Sequence, residues 1–127
     1  MRMDPVVNRF IHVMQGIVDQ ELSWYYRNCL ATIYPSKYEG WGLPVGESLA
    51  QGKLCLASNA TSIPEIGKDL PQYFEPHDAA ALARLVERVI EEPAWVKERE
   101  DLIRASYQPT EWRDTAKQIL EVIDSLG

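Results

Sequence analysis

Cysteine, histidine and phenylalanine are scarce in this chain of 127 residues, with two of each. Two cysteines cannot build the multi-bridge scaffold of a small secreted domain. Cys29 and Cys55 lie in apolar segments without Cys-x-x-Cys spacing. They read as buried free thiols of a cytoplasmic protein. No cluster of histidine and cysteine has the spacing of a metal site, and no nucleophile–base pair stands out. His12 reads as a structural strand residue, and His77 only precedes a helix cap. Positive charge is also in deficit, with 13 Lys and Arg against 19 Asp and Glu, a net charge of −6. That balance argues against a nucleic-acid partner, whose phosphates need a basic face. It argues equally against a polybasic membrane surface. No apolar run approaches the ~20 residues that a membrane span requires. Residues 1–5 lack the apolar region of a signal peptide. The expectation is a cytoplasmic protein with no integral membrane segment, no metal and no resident cofactor.

What the chain does have is the composition of an ordinary globular domain, 46% apolar and 25% charged. Its length suits a single domain, residues 1–127, with a core of its own. Strand-like and helical stretches alternate. Residues 9–14 read as a first strand. A helix follows, with Asp19 as its cap and Leu22, Tyr25, Tyr26 and Cys29 near helical spacing. Next come a strand at 30–35, a helix at 44–51, a strand at 53–58, a short helix opened by Pro64, and a strand at 72–74. Asp78 is placed to cap a helix over 79–92, whose apolar face is Leu82, Leu85, Val86, Val89 and Ile90. Pro93 interrupts, and a helix continues over 94–105. Thr110 is placed to cap a last helix, with Trp112, Ala116, Ile119, Leu120 and Ile123 as its stripe. Such alternation implies a parallel sheet with right-handed crossovers.

One segment carries chemistry: Glu39-Gly-Trp-Gly-Leu-Pro-Val-Gly-Glu47. It sets two carboxylates eight positions apart, on the connection from a buried strand to a helix closed by Gly52. Open α/β sheets bind ligands there, outside the carboxyl ends of their strands. Gly40 and Gly42 let the backbone approach a ligand closely. Pro44 suits a first helical turn, whose free N–H groups favour an anion such as a phosphate. Two carboxylates beside an anion site suit hydrogen bonds from sugar hydroxyls. The plainer alternative makes Glu39 a solvated loop carboxylate and Glu47 a first-turn residue favoured by the helix dipole.

These residues resemble the Glu-x7-Glu signature of the group 1 (GT4-type) retaining glycosyltransferases with the GT-B fold. The likeness extends over residues 34–44, 57–66, 73–78 and the helix around 18–26, and so over nearly the whole chain. Trp41 stands where the family often has Phe, and Gly46 where it has a larger residue. The resemblance implies an α/β fold: a Rossmann-like, three-layer parallel sheet of about four strands with flanking helices. It implies that Glu39 contacts hydroxyls of the donor sugar and Glu47 those of the nucleotide ribose. The backbone of Gly40, Trp41, Gly42 and Leu43 would face sugar and diphosphate. Gly16, Ile17 and Val18 read first as a turn, with a border to the base as the alternative. Ser58, Asn59 and Ser62 read as loop-capping polar residues, with a lining to the pocket as the alternative.

Two parts of the family's enzymes have no counterpart in these residues. One is the acceptor-binding half. The other is the start of the donor half, with the Arg/Lys pair that holds the diphosphate. The chain therefore reads as part of a nucleotide-sugar-binding domain, expected to be inactive alone. Its partners would be a nucleotide sugar and either a second copy, as a homodimer, or a complementing N-terminal chain. A non-catalytic module that self-associates or binds a partner is the alternative function.

Overall fold

The computed structural model of the chain describes residues 4–38, 42–109 and 112–127, the side chain of Trp112 excepted. The expected cap Thr110 lies outside these residues. Three strands form the sheet: β1 (Thr32–Tyr34), β2 (Cys55–Ser58) and β3 (Gln72–Phe74). All pair in parallel, in the order β1-β2-β3. The register sets Ile33 beside Leu56 and Ala57 beside Tyr73. Seven helices accompany them among the described residues: α1 (Pro5–Asn8), α2 (Asp19–Asn28), α3 (Leu43–Ala50), α4 (Ile63–Gly67), α5 (Ala79–Glu91), α6 (Pro93–Ser106) and α7 (Trp112–Leu126).

The central strand explains the layering. Successive side chains of a strand point to opposite faces, so a strand covered on both sides is apolar throughout. Every residue of β2 is buried. Cys55 and Ala57 pack with Val45 and Leu49 of α3, Ile63 of α4 and Ile103 of α6. Leu54 and Leu56 pack on the opposite side with Phe74 and Val89, against Leu82, Leu85 and Val86 of α5 and Trp95 and Val96 of α6. Helix α6 thus serves both clusters. It crosses the end of the sheet where β2 begins, and there Glu100 meets the nearly buried Lys53 at 2.9 Å.

Helix boundaries follow from capping. The Asp78 carboxylate accepts from the Ala81 N–H at 2.8 Å and starts α5, as its position predicts. Asp19 does not cap α2. It is the first helical residue, Val18 takes the cap position, and the Glu21 carboxylate accepts from the Val18 N–H at 3.2 Å.

The sheet has three strands among the described residues, not about four. Residues 9–14 form no strand. Asp4 and Pro5 start α1 instead, the Asp4 carboxylate accepting from the Val6 N–H at 2.8 Å. The turn that closes α1 uses the N–H groups of Arg9 and Phe10, which donate to Val6 and Val7. The rest of the segment, residues 11–14, forms no ladder with β1, although Met14 lines a cleft with Thr32, Ile33 and Tyr34. Strand β1 therefore pairs on one edge only among the described residues.

Candidate functional site

The strand-to-helix connection after β1 reaches α3 through Gly42, which adopts the left-handed conformation at φ +68°. A Cβ there would also lie 3.2 Å from Cγ1 of Ile63 and 3.4 Å from Cδ1 of Ile66. Glycine is thus required twice, once for the backbone angle and once for space. Leu43 is the first residue of α3 and is exposed, with Pro44 second. Val45 donates back to the Gly42 carbonyl at 3.0 Å, and its buried side chain anchors the helix on the sheet.

Glu47 is the fifth residue of α3, one full turn inside the helix rather than in its first turn. The helix-dipole explanation of its presence loses force there, since that effect fades within a turn. Its carboxylate has a specific partner. The Tyr26 hydroxyl, on α2, donates to Oε2 of Glu47 at 2.9 Å. Burial, and then the hydrogen bond and charge of Glu47, push the Tyr26 phenol well above the ordinary tyrosine range. The phenol therefore stays protonated and keeps donating. Glu47 also lines an open cleft of about 470 Å³ with Leu43, Gly46, Glu65, Lys68 and Tyr107. On the other side of Tyr26 lies an apolar cleft of about 350 Å³, lined by Ile17, Leu22, Cys29, Ile33 and Pro44 among others.

Glu39, Gly40 and Trp41 lie outside the described residues. Of the other expected site residues, Gly42, Leu43 and Glu47 are brought together on one turn and its helix. Ile17 is half-buried and lines the apolar cleft beside Tyr26 and Pro44. Gly16 is exposed at φ +66° with open space around it, which makes it a turn residue. Ser58 is fully buried at the end of β2, where its hydroxyl donates to the Ser36 carbonyl. Asn59 donates from its side chain to the Glu75 carboxylate at 2.7 Å. Both tie neighbouring strand ends together, and neither lines the cleft at Glu47.

Tyr26, Glu65, Lys68 and Tyr107 reach this region without having been singled out in the sequence. Tyr26 shares α2 with Trp24 and Tyr25, and three adjacent aromatic residues look like packing. Tyr107 and Lys68 sit 60 and 21 positions beyond Glu47, and no local pattern links them to it. Gly46 did carry a signal, since the family places a larger residue there. A Cβ at Gly46 would lie 3.2 Å from the Tyr107 hydroxyl, which leans into that space. Among the described residues no cluster of His, Cys, Asp and Glu could hold a metal ion. No helix among them is long and apolar enough to cross a membrane.

Comparison with known proteins gives a consistent result. Residues 7–109 match the family model described as glycosyl transferases group 1. The serotype-specific mannosyltransferase WbdA of Escherichia coli is 31% identical over 105 residues, covering 83% of this chain and 13% of that protein. An O-antigen chain mannosyltransferase B of Escherichia coli is 30% identical over 86 residues, 68% of this chain and 23% of that one. The solved sucrose-phosphate synthase of Thermosynechococcus elongatus superimposes with a TM-score of 0.69 at 27% identity, over 89% of this chain and 29% of that chain. The chain thus spans less than a third of the length of each of these relatives.

Proposed function

The chain belongs to the group 1 glycosyl transferases, and from that premise we propose that it binds the nucleotide-diphospho-sugar donor of a retaining sugar transfer. The observation that carries this reading is the placement of Glu47. Its carboxylate is anchored by Tyr26 at a cleft, one turn below a helix start that only glycine allows. In this reading Glu47 accepts hydrogen bonds from the ribose hydroxyls and Glu39 from those of the sugar. The backbone of Gly40, Trp41, Gly42 and Leu43 faces the sugar and diphosphate, where N–H groups at the start of α3 favour an anion. Ile17 borders the base. The chemistry is positioning of the donor and stabilisation of the leaving diphosphate. Two of the relatives are named mannosyltransferases, so a mannosyl donor is the first to test.

These 127 residues, taken alone, hold the donor weakly and transfer no sugar, because the acceptor half and the basic pair for the diphosphate are not among them. The protein works in the cytoplasm. Calorimetric titration with GDP-mannose and UDP-glucose tests the binding. Glu47→Ala should weaken it by about 1.5–3 kcal/mol, the worth of hydrogen bonds to a charged group. Equal affinity of the parent chain and the Glu47→Ala variant would refute the assignment.

A second reading, a module that self-associates, draws on a different observation. Ile119, Leu120, Val122, Ile123 and Leu126 of α7 are exposed, as is Ile33 of the edge strand β1. Open strand edges and bare apolar stripes invite a second copy. On this reading the chain is a homodimer. Sedimentation equilibrium at micromolar concentration should give twice 14.5 kDa, and a clean monomer mass would rule the dimer out.

A further inference from the structure

We infer that Tyr26 is the positioning residue of Glu47, holding one carboxylate oxygen so that the other meets the ribose diol. The inference rests on the donor-site reading above and adds to it a residue that the Glu-x7-Glu spacing does not include. Glu47 is exposed, and a free glutamate side chain loses rotamer freedom when a ligand fixes it. Tyr26 has few rotamers and a half-buried ring, lodged in the apolar cleft with Ile17, Leu22 and Pro44. It is a rigid anchor on a different helix, 21 residues away in sequence, and its hydroxyl donates to Oε2 at 2.9 Å. A carboxylate can only accept, so the direction of this bond is fixed. Oε1 is then presented with its orientation already set, and the ordering cost is met before the ligand arrives. The opposite role is also chemically defined: a phenol on Glu47 could compete with the ribose for the same oxygen. The sign of the mutational effect separates the two.

The test is titration of the chain with guanosine and uridine diphosphate and with their 2′,3′-dideoxy counterparts. Tyr26→Phe keeps the ring and its packing and removes only the hydroxyl. It should weaken binding of the ribose forms about three- to tenfold, the ordering cost of one rotamer-rich side chain. The dideoxy forms should bind Tyr26→Phe as they bind the parent. Added to Glu47→Ala, Tyr26→Phe should cost nothing more, which is the mark of two residues acting as one. Unchanged or tighter ribose binding in Tyr26→Phe, while Glu47→Ala still weakens it, would overturn the positioning role and leave the donor site standing. If Glu47→Ala itself does not discriminate ribose from dideoxyribose, the donor reading falls and this inference falls with it.

Discussion

Residues 9–14 and 53–58 are similar stretches of chain with opposite fates. Each opens on a basic residue and continues through mostly apolar side chains. Leu54 and Leu56 are 0% and 1% exposed, whereas Phe10 and Val13 are 77% and 76% exposed. The second stretch forms the central strand, with a partner on each edge and helices on each face. The first forms the tail of a short helix and an irregular run. The difference lies in neighbours rather than in intrinsic preference. Strand propensity measures how well a residue fits a pleated surface that is already there. Where β1 and β3 flank the chain, apolar residues become a strand. Where Asp4 and Pro5 start a helix and the following residues make no ladder, they do not.

The largest effect expected from this contrast is in β2. Leu56→Ala should cost about 2–5 kcal/mol, because the cavity it leaves is walled by both neighbouring strands and α5. Urea unfolding of the two proteins checks it, and a cost below 1 kcal/mol would mean that the centre of the sheet is loosely packed. Gly42→Ala comes next. The left-handed angle and the 3.2 Å approach to Ile63 should together cost about 1–3 kcal/mol. The same urea series reads this change, and a neutral result would mean that the turn before α3 is not held as described.

The buried thiol gives a pH signature. Burial pushes Cys55 up to about 11, above its ordinary value. The folded chain then keeps a proton that the unfolded chain releases. Stability from this group is fully present below about pH 9 and falls as pH rises towards 11, by up to about 1.4 kcal/mol for each pH unit. Tyr73 follows, pushed up by burial to about 12. Denaturant midpoints measured from pH 7 to 11 should decline, and Cys55→Ala should flatten the decline between 9 and 11. An unchanged slope in that variant would assign the loss to other groups. The smallest effect belongs to the first stretch: Val13→Ala should change stability by no more than about 0.5 kcal/mol, as exposed positions do. A cost near that of Leu56→Ala would show that residues 9–14 are packed in solution.

Much of the fold was legible in the sequence because its cues are local. Pro64, Asp78 and Pro93 mark helix starts that the structure contains, and the apolar run before Ser58 marks the buried strand. The motif Glu39 to Glu47 marks the family, and Glu47 does lie at a cleft. What the sequence hid depends on contacts between distant positions. Nothing near Tyr26 announces that its hydroxyl reaches Glu47, and nothing near Tyr107 announces that it fills the space beside Gly46. The failed strand at 9–14 has the same origin, since a strand is defined by pairing with a distant segment and residues 9–14 make none.

We propose that Glu47, anchored by Tyr26, marks a nucleotide-sugar site at the carboxyl end of this sheet. A crystal structure of the chain grown with a nucleotide-diphospho-sugar tests it most directly. Ribose hydroxyls are expected within hydrogen-bond reach of Glu47, diphosphate at the start of α3, and the sugar beside Glu39. A nucleotide bound away from α3, with Glu47 making no contact to it, would contradict it.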